Sequence, residues 1–338
     1  MRARLFPLAG LLIACAAGGT LVRAGQQPPA PQGGIGQTPS PLPLTQTIRE
    51  RGSSVTPAFE GWYFEKDGSV RLLVGYFNRN LKQEFDIPVG PNNRIEPGGP
   101  DMGQPTHFGT GRGWGVFSIP IPKDFGEKKL TWTIVANGFT NAITLHTKSD
   151  YIVEPLEDPA NKNTPPKLRF KESGEPVIGP PKGVAEKYAA TVGAPLAITV
   201  WASDEGPKIN VPETTGRGRR GRGGAAGGDA AGRGAGRGGR GGDAPAIPAE
   251  FQPAPPLALT WSKFRGPGDV KFDSAKPKME IDGGEKPAGS ISGKATVNVT
   301  FAAPGDYVLR VEGNDSTGAG GGGFQCCWTS AHVGVTVK

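Results

Sequence analysis

The residues of this chain whose chemistry folding alone does not consume are few: three histidines, two adjacent cysteines and some loop carboxylates. His107 lies in the stretch 90–113 (GPNNRIEPGGPDMGQPTHFGTGRG) with Glu96 and Asp101, and Asp86 stands a little upstream. Asp86, Asp101 and His107 could be arranged as acid and base, a pairing that asks for only two common residue types. No nucleophile motif such as G-x-S-x-G accompanies them. A hydrolase-type enzyme built around the 90–113 loop would need His107 within hydrogen-bond reach of a carboxylate in a cleft. The same carboxylates, with loop carbonyls, are ligands that Ca²⁺ would accept. No EF-hand spacing is present, and acidic residues in Gly/Pro-rich stretches are commonly turn formers. No metal and no cofactor is expected.

Cys326 and Cys327 sit in the loop STGAGGGGFQCCWTS. In an oxidising compartment such neighbours form a vicinal disulfide. A free dithiol, a soft-metal site or an intermolecular bridge are the alternatives. Two sulfurs are too few for a closed Zn²⁺ site. A ring beside Phe324 and Trp328 would make a rigid apolar contact surface, so Phe324, Cys326, Cys327 and Trp328 are candidate binding residues. Trp62, Tyr63, Phe64, Tyr76, Phe77 and Trp114 raise the same question in the first half. Adjacent residues of a strand face opposite sides, which sets Tyr63 against Trp62 and Phe64. Trp62, Tyr63, Trp114 and His107 are therefore candidate contacts for a protein or polysaccharide partner. The plainer reading is a two-layer core whose second face the 90–113 loop covers.

The elements that must hold these residues are all strands. Phe59 to Glu65 and Val70 to Asn78 flank Lys66-Asp67-Gly68-Ser69, a hairpin cue. Gln83 to Pro88, Trp114 to Ile121, Leu130 to Ala136 and Ala142 to Thr147 follow, the last pair joined across Asn137-Gly138. No helical run of ten or more residues appears. Residues 54–156 read as a sandwich of about seven short strands. Residues 157–183 are Pro-rich and read as an extended spacer with one short strand at Leu168 to Phe170.

In the second half, Leu196, Ile198 and Val200 alternate with polar or small neighbours, as do Leu257, Leu259 and Trp261, and Val333, Val335 and Val337. The clearest run is ATVNVTFAAPGDYVLRV. Ala295, Val297, Val299 and Phe301 share one face, and after Pro304-Gly305-Asp306 the inward set is Tyr307, Leu309 and Val311. The two runs read as adjacent antiparallel strands. The tyrosine just after the corner is expected to bury its ring and bond its hydroxyl to nearby backbone. The fold class is therefore all-β, with two β-sandwich domains, 54–156 and 184–338.

Gly (54) and Pro (34) make up about a quarter of the 338 residues, near the level of low-complexity sequence. The net charge of +7 is not spread evenly: residues 217–243 carry +5 and residues 1–24 carry +3, leaving about −1 elsewhere. A polyanion partner must thus rest on one segment. That segment is the insertion 206–255, which reads as disordered because its Gly and Ala offer little to bury. Arg217, Arg219, Arg220, Arg222, Arg233, Arg237 and Arg240 could bind acidic polymers by charge, or be a solvated linker. The loop adds little closure entropy to a sandwich.

Residues 1–24 read as an export signal, with Arg2 and Arg4 ahead of the apolar stretch Leu5 to Ala17. Cleavage before Gly25 would release a soluble chain. Leu12-Ile13-Ala14-Cys15 resembles a bacterial lipobox, which would lipidate Cys15. Residues 25–53 read as a flexible Pro/Gln-rich tether. No transmembrane span is expected in the mature chain. It would reside in the periplasm, on the outer surface or outside the cell.

The runs LTWSKFRGPGDVKF, VTFAAPGDYVLRVEGNDS and VGVTV resemble PKD-like, Ig-like sandwich domains of bacterial surface proteins. That resemblance implies a seven-stranded sandwich with an adhesive, spacing or accessory binding role and no catalytic residue. The runs FEGWYFEKDGS, GYFNRN, EPGGPD and GQPTHF resemble an uncharacterised exported bacterial family, which implies no activity. The sequence thus points to an exported non-enzymatic binding or structural protein acting through surface loops. A carbohydrate-binding accessory module and a hydrolase are the alternatives.

Overall fold

The structure, a computed structural model, describes residues 49–159, 162–206, 257–284, 289–315 and 326–338. The stretch expected to be an export signal, with Cys15, most of the expected tether, all but the first residue of the expected insertion with its seven arginines, and Phe324 lie outside the described residues. The described residues form one compact unit. Among the described residues no helix is long and apolar enough to cross a membrane.

The first half contains β1 (Val55–Phe64), β2 (Val70–Asn78), β3 (Phe85–Asp86), β4 (Asn93–Glu96), β5 (His107–Phe108), β6 (Gly111–Ile121), β7 (Leu130–Ala136) and β8 (Phe139–Leu145). Sheet β1-β2-β6 packs against sheet β4-β7-β8, and β3-β5 is a two-stranded flap. Leu72, Val74, Phe117, Ile95, Trp132, Ile134 and Leu145 fill the space between the sheets. Both hairpin cues are realised. The Glu65 amide donates to Ser69 O at 2.8 Å across the Asp67-Gly68 turn. Asn137 and Gly138 both take positive φ, 50° and 78°, as a tight two-residue hairpin requires.

The 90–113 stretch is ordered by its own polar core. Asn93, fully buried, donates its amide to the carbonyls of Ile87 (3.0 Å) and Pro105 (2.7 Å) and accepts from Trp132 Nε1 at 3.0 Å. A buried amide so satisfied pins the loop to the sheet.

The second half contains β9 (Lys167–Arg169), β10 (Val184–Ala190), β11 (Leu196–Asp204), β12 (Leu257–Arg265), β13 (Val270–Phe272), β14 (Glu280–Ile281), β15 (Ile291–Phe301), β16 (Gly305–Asp315) and β17 (Trp328–Val337). Sheet β10-β17-β16-β12 faces sheet β13-β15-β11-β9, and their alternating apolar residues make one core. Tyr307 is buried and its hydroxyl donates to Ala303 O at 2.8 Å, as expected of a tyrosine corner.

Two expectations are corrected here. β15 and β16 are not neighbours: β15 pairs with β11 and β13, whereas β16 pairs with β12 and β17. The Pro304-Gly305 corner carries the chain from one sheet to the other, and alternation alone reads the same for either path. Nor are residues 157–183 an extended spacer. Leu168 and Asn163 are fully buried, β9 pairs with β11, and Ser330 N donates to Gly179 O.

Candidate functional site: a cleft between the sandwiches

Two strands of two residues each place the one histidine–carboxylate pair that the sequence offered. In the β3-β5 ladder Phe85 stands opposite Phe108, and Asp86 opposite His107. Phe108 is fully buried, edge-on to Tyr76 at 5.1 Å. Alternation then turns its neighbour His107 outward, beside its cross-strand partner. His107 Nδ1 lies 3.0 Å from Asp86 Oδ1, and its Nε2 lies 3.4 Å from Glu84 Oε2. Lys263 arrives from β12 and donates to the same Asp86 oxygen at 2.8 Å. The ammonium is almost wholly buried, so this ion pair is shielded from water on one side. Burial raises the Asp86 pKa, but Lys263 and then His107 outweigh it and hold the carboxyl below its usual range.

Glu84, His107 and Lys263 line a cleft of about 450 Å³ whose other walls include Tyr76, Ser262, Asp269 and Phe272, a volume within the roughly 300–1,000 Å³ of small-molecule sites. Burial pushes the Tyr76 phenol up to about 12. The cleft exists because the two sandwiches are joined along β12. A bulge between Lys263 and Arg265 sends Phe264 into the first sandwich's core, while Thr106 N donates to Phe264 O at 3.1 Å. The geometric condition set for an acid–base site, an imidazole against a carboxylate in a cleft, is met.

No protein-family model matches this chain, and no curated protein matches it.

The remaining singled-out residues lie elsewhere. Asp101 leaves the acid–base group: its carboxylate takes both Arg265 terminal nitrogens, at 2.8 and 3.0 Å. Glu96 accepts from Arg94. Among the described residues no group of three His, Cys, Asp or Glu is placed to hold a metal. Cys326 and Cys327 are joined by a disulfide.

Of the two readings of the aromatics, the structure shows the covered one and not an exposed surface. Trp62, Tyr63, Cys326, Cys327 and Trp328 are all buried, and Trp114 is half-buried beneath the Arg112 guanidinium at 4.0 Å. The outer face of the β1-β2-β6 sheet is covered, not by the 90–113 loop, but by Trp328, which packs with Tyr63, Leu73 and Val153. Trp62 fixes the loop after β8 by donating its indole N–H to Lys148 O at 2.7 Å.

The sequence alone did not bring Glu84, Lys263, Asp269, Tyr76 and Phe272 into one cleft with His107. One signal was present. Lys263 continues the inward set Leu257, Leu259, Trp261, and a lysine buried on an apolar stripe calls for a carboxylate partner.

Proposed function

We propose that this protein is an exported, non-enzymatic binding protein whose cleft between the sandwiches takes a small sugar-like ligand. One observation carries the reading: the half-buried aromatic side chains of Tyr76 and Phe272 converge with Glu84, Ser262 and Asp269 on a single cleft. A sugar presents flat C–H faces to aromatic rings and hydroxyls to carboxylates, and this lining supplies both. Binding is favoured over turnover because each ring nitrogen of His107 already faces a carboxylate, leaving neither turned to a reacting group. Export rests on the N-terminal sequence, and it would set the ligand among cell-envelope or extracellular polysaccharides.

Calorimetric titration of the full chain with a panel of mono- and oligosaccharides tests the proposal. Saturable binding is expected, weakened about tenfold in Phe272→Ala. A flat panel overturns it. The hydrolase reading retains one observation in its favour, the 3.0 Å His107–Asp86 pair on a cleft wall. Glycoside turnover that disappears in His107→Ala would put that reading in its place.

A further inference from the structure

Building on the cleft reading, we infer that the sugar carries a free ammonium group, received by the carboxylates of Glu84 and Asp269, which both line the cleft. Two carboxylates, Glu84 and Asp269, line this cleft with Lys263, whose ammonium pairs with a third, Asp86, beside it. Lys263 and His107 both converge on Asp86 Oδ1, and Arg112 and Arg310, whose charges reach Tyr76, are paired with Glu60 and Glu312. Among the described residues Glu84 has only the 3.4 Å approach to His107, and it is 58% exposed at its side chain. Asp269 stands on the turn between β12 and β13, held by its backbone carbonyl, which accepts from Ala302 N at 3.0 Å. Its carboxylate has no ion pair among the described residues.

The cleft is therefore left with uncompensated negative charge between low-dielectric aromatic walls, where field lines focus. An anionic sugar would be repelled. A neutral one would gain nothing from that field. An ammonium is attracted by both carboxylates and by the faces of Tyr76 and Phe272. The sugar body accounts for the rest of the lining, since a bare cation would leave the Ser262 hydroxyl and the apolar walls unused.

The experiment is calorimetric titration of the full chain with glucosamine, N-acetylglucosamine, glucose and choline at low and high salt. Glucosamine is expected to bind about tenfold or more tightly than the acetylated and neutral sugars, with the margin narrowing as salt rises. The Glu84→Gln, Asp269→Asn double variant, two exposed positions, is expected to erase that margin by weakening glucosamine further than it weakens glucose. Equal affinity for the three sugars, or a preference that survives the double variant, overturns the inference but leaves the cleft reading in place. Choline binding as tightly as glucosamine overturns the sugar part. Failure of all four to bind overturns the cleft reading itself, and the inference with it.

Discussion

His332 gives the sharpest test of how the two sandwiches are joined. It lies on β17, 6% exposed, with its ring 4.1 Å from that of Phe264 and its Nε2 3.0 Å from Val116 O. A carbonyl accepts, so Nε2 must carry the proton, and the neutral ring fits. Burial, and then the nearby charge of Arg310, push the imidazole down to about 3, against partial help from the Val116 carbonyl. The folded pKa is thus depressed below the unfolded value of about 6.5. Between those two values the unfolded chain binds a proton that the folded chain refuses. Stability therefore falls with falling pH, by up to about 1.4 kcal/mol per unit, or about 3 kcal/mol between pH 7 and pH 4. Asp204 works in the opposite sense. Burial and the charge of Asp315 push it up to about 6, so its folded form takes a proton first and gains relative stability as pH falls. Glu60, raised by burial, acts likewise.

The whole-protein curve mixes these effects, so the measurement is a difference. Urea unfolding of the wild type and of His332→Gln, followed by tryptophan fluorescence, is compared across that pH range. Glutamine keeps an N–H for Val116 O but does not titrate. The wild type is expected to lose about 3 kcal/mol relative to the variant on acidification. A difference that stays constant within about 0.5 kcal/mol would refute the assignment.

Three further outcomes are expected. Gly115 takes φ +45°, and a Cβ there would sit 2.2 Å from the Trp328 ring, so Gly115→Ala should lower stability by about 1–3 kcal/mol in urea unfolding. Tyr307→Phe removes the hydroxyl bond to Ala303 O and should cost about 1 kcal/mol; an unchanged urea midpoint would show that the corner does not depend on it. Native protein should take up no alkylating label at Cys326 or Cys327 without reductant. Both thiols should label after denaturation with reductant, as intact mass would show.

Much of the fold was legible because the strands alternate. Leu130–Ala136 carries its pattern in plain view, and the Tyr307 corner announced itself through a tyrosine placed just after Pro304-Gly305. Period two reports which side chains share a face and says nothing of which strand lies beside which. That is why the β15–β16 crossing was misread as a hairpin. The cover over Tyr63 was invisible for a related reason: its partner, Trp328, is far away in sequence and sits in a run that reads as a loop. Of the site, His107 and Asp86 were visible as residue types. Their pairing rested on the Phe85–Phe108 register, which two two-residue strands cannot advertise. The charge on Lys263 was the one cue within reach.

The seam around Trp328 also sets an order of events. Its indole completes the cover over Tyr63 and Leu73, residues that leave the ribosome long before it does. Whatever the first sandwich assembles during synthesis keeps a greasy, unfinished flank until the last strand arrives. Cutting the chain between the halves should therefore yield a sticky fragment, not a usable module.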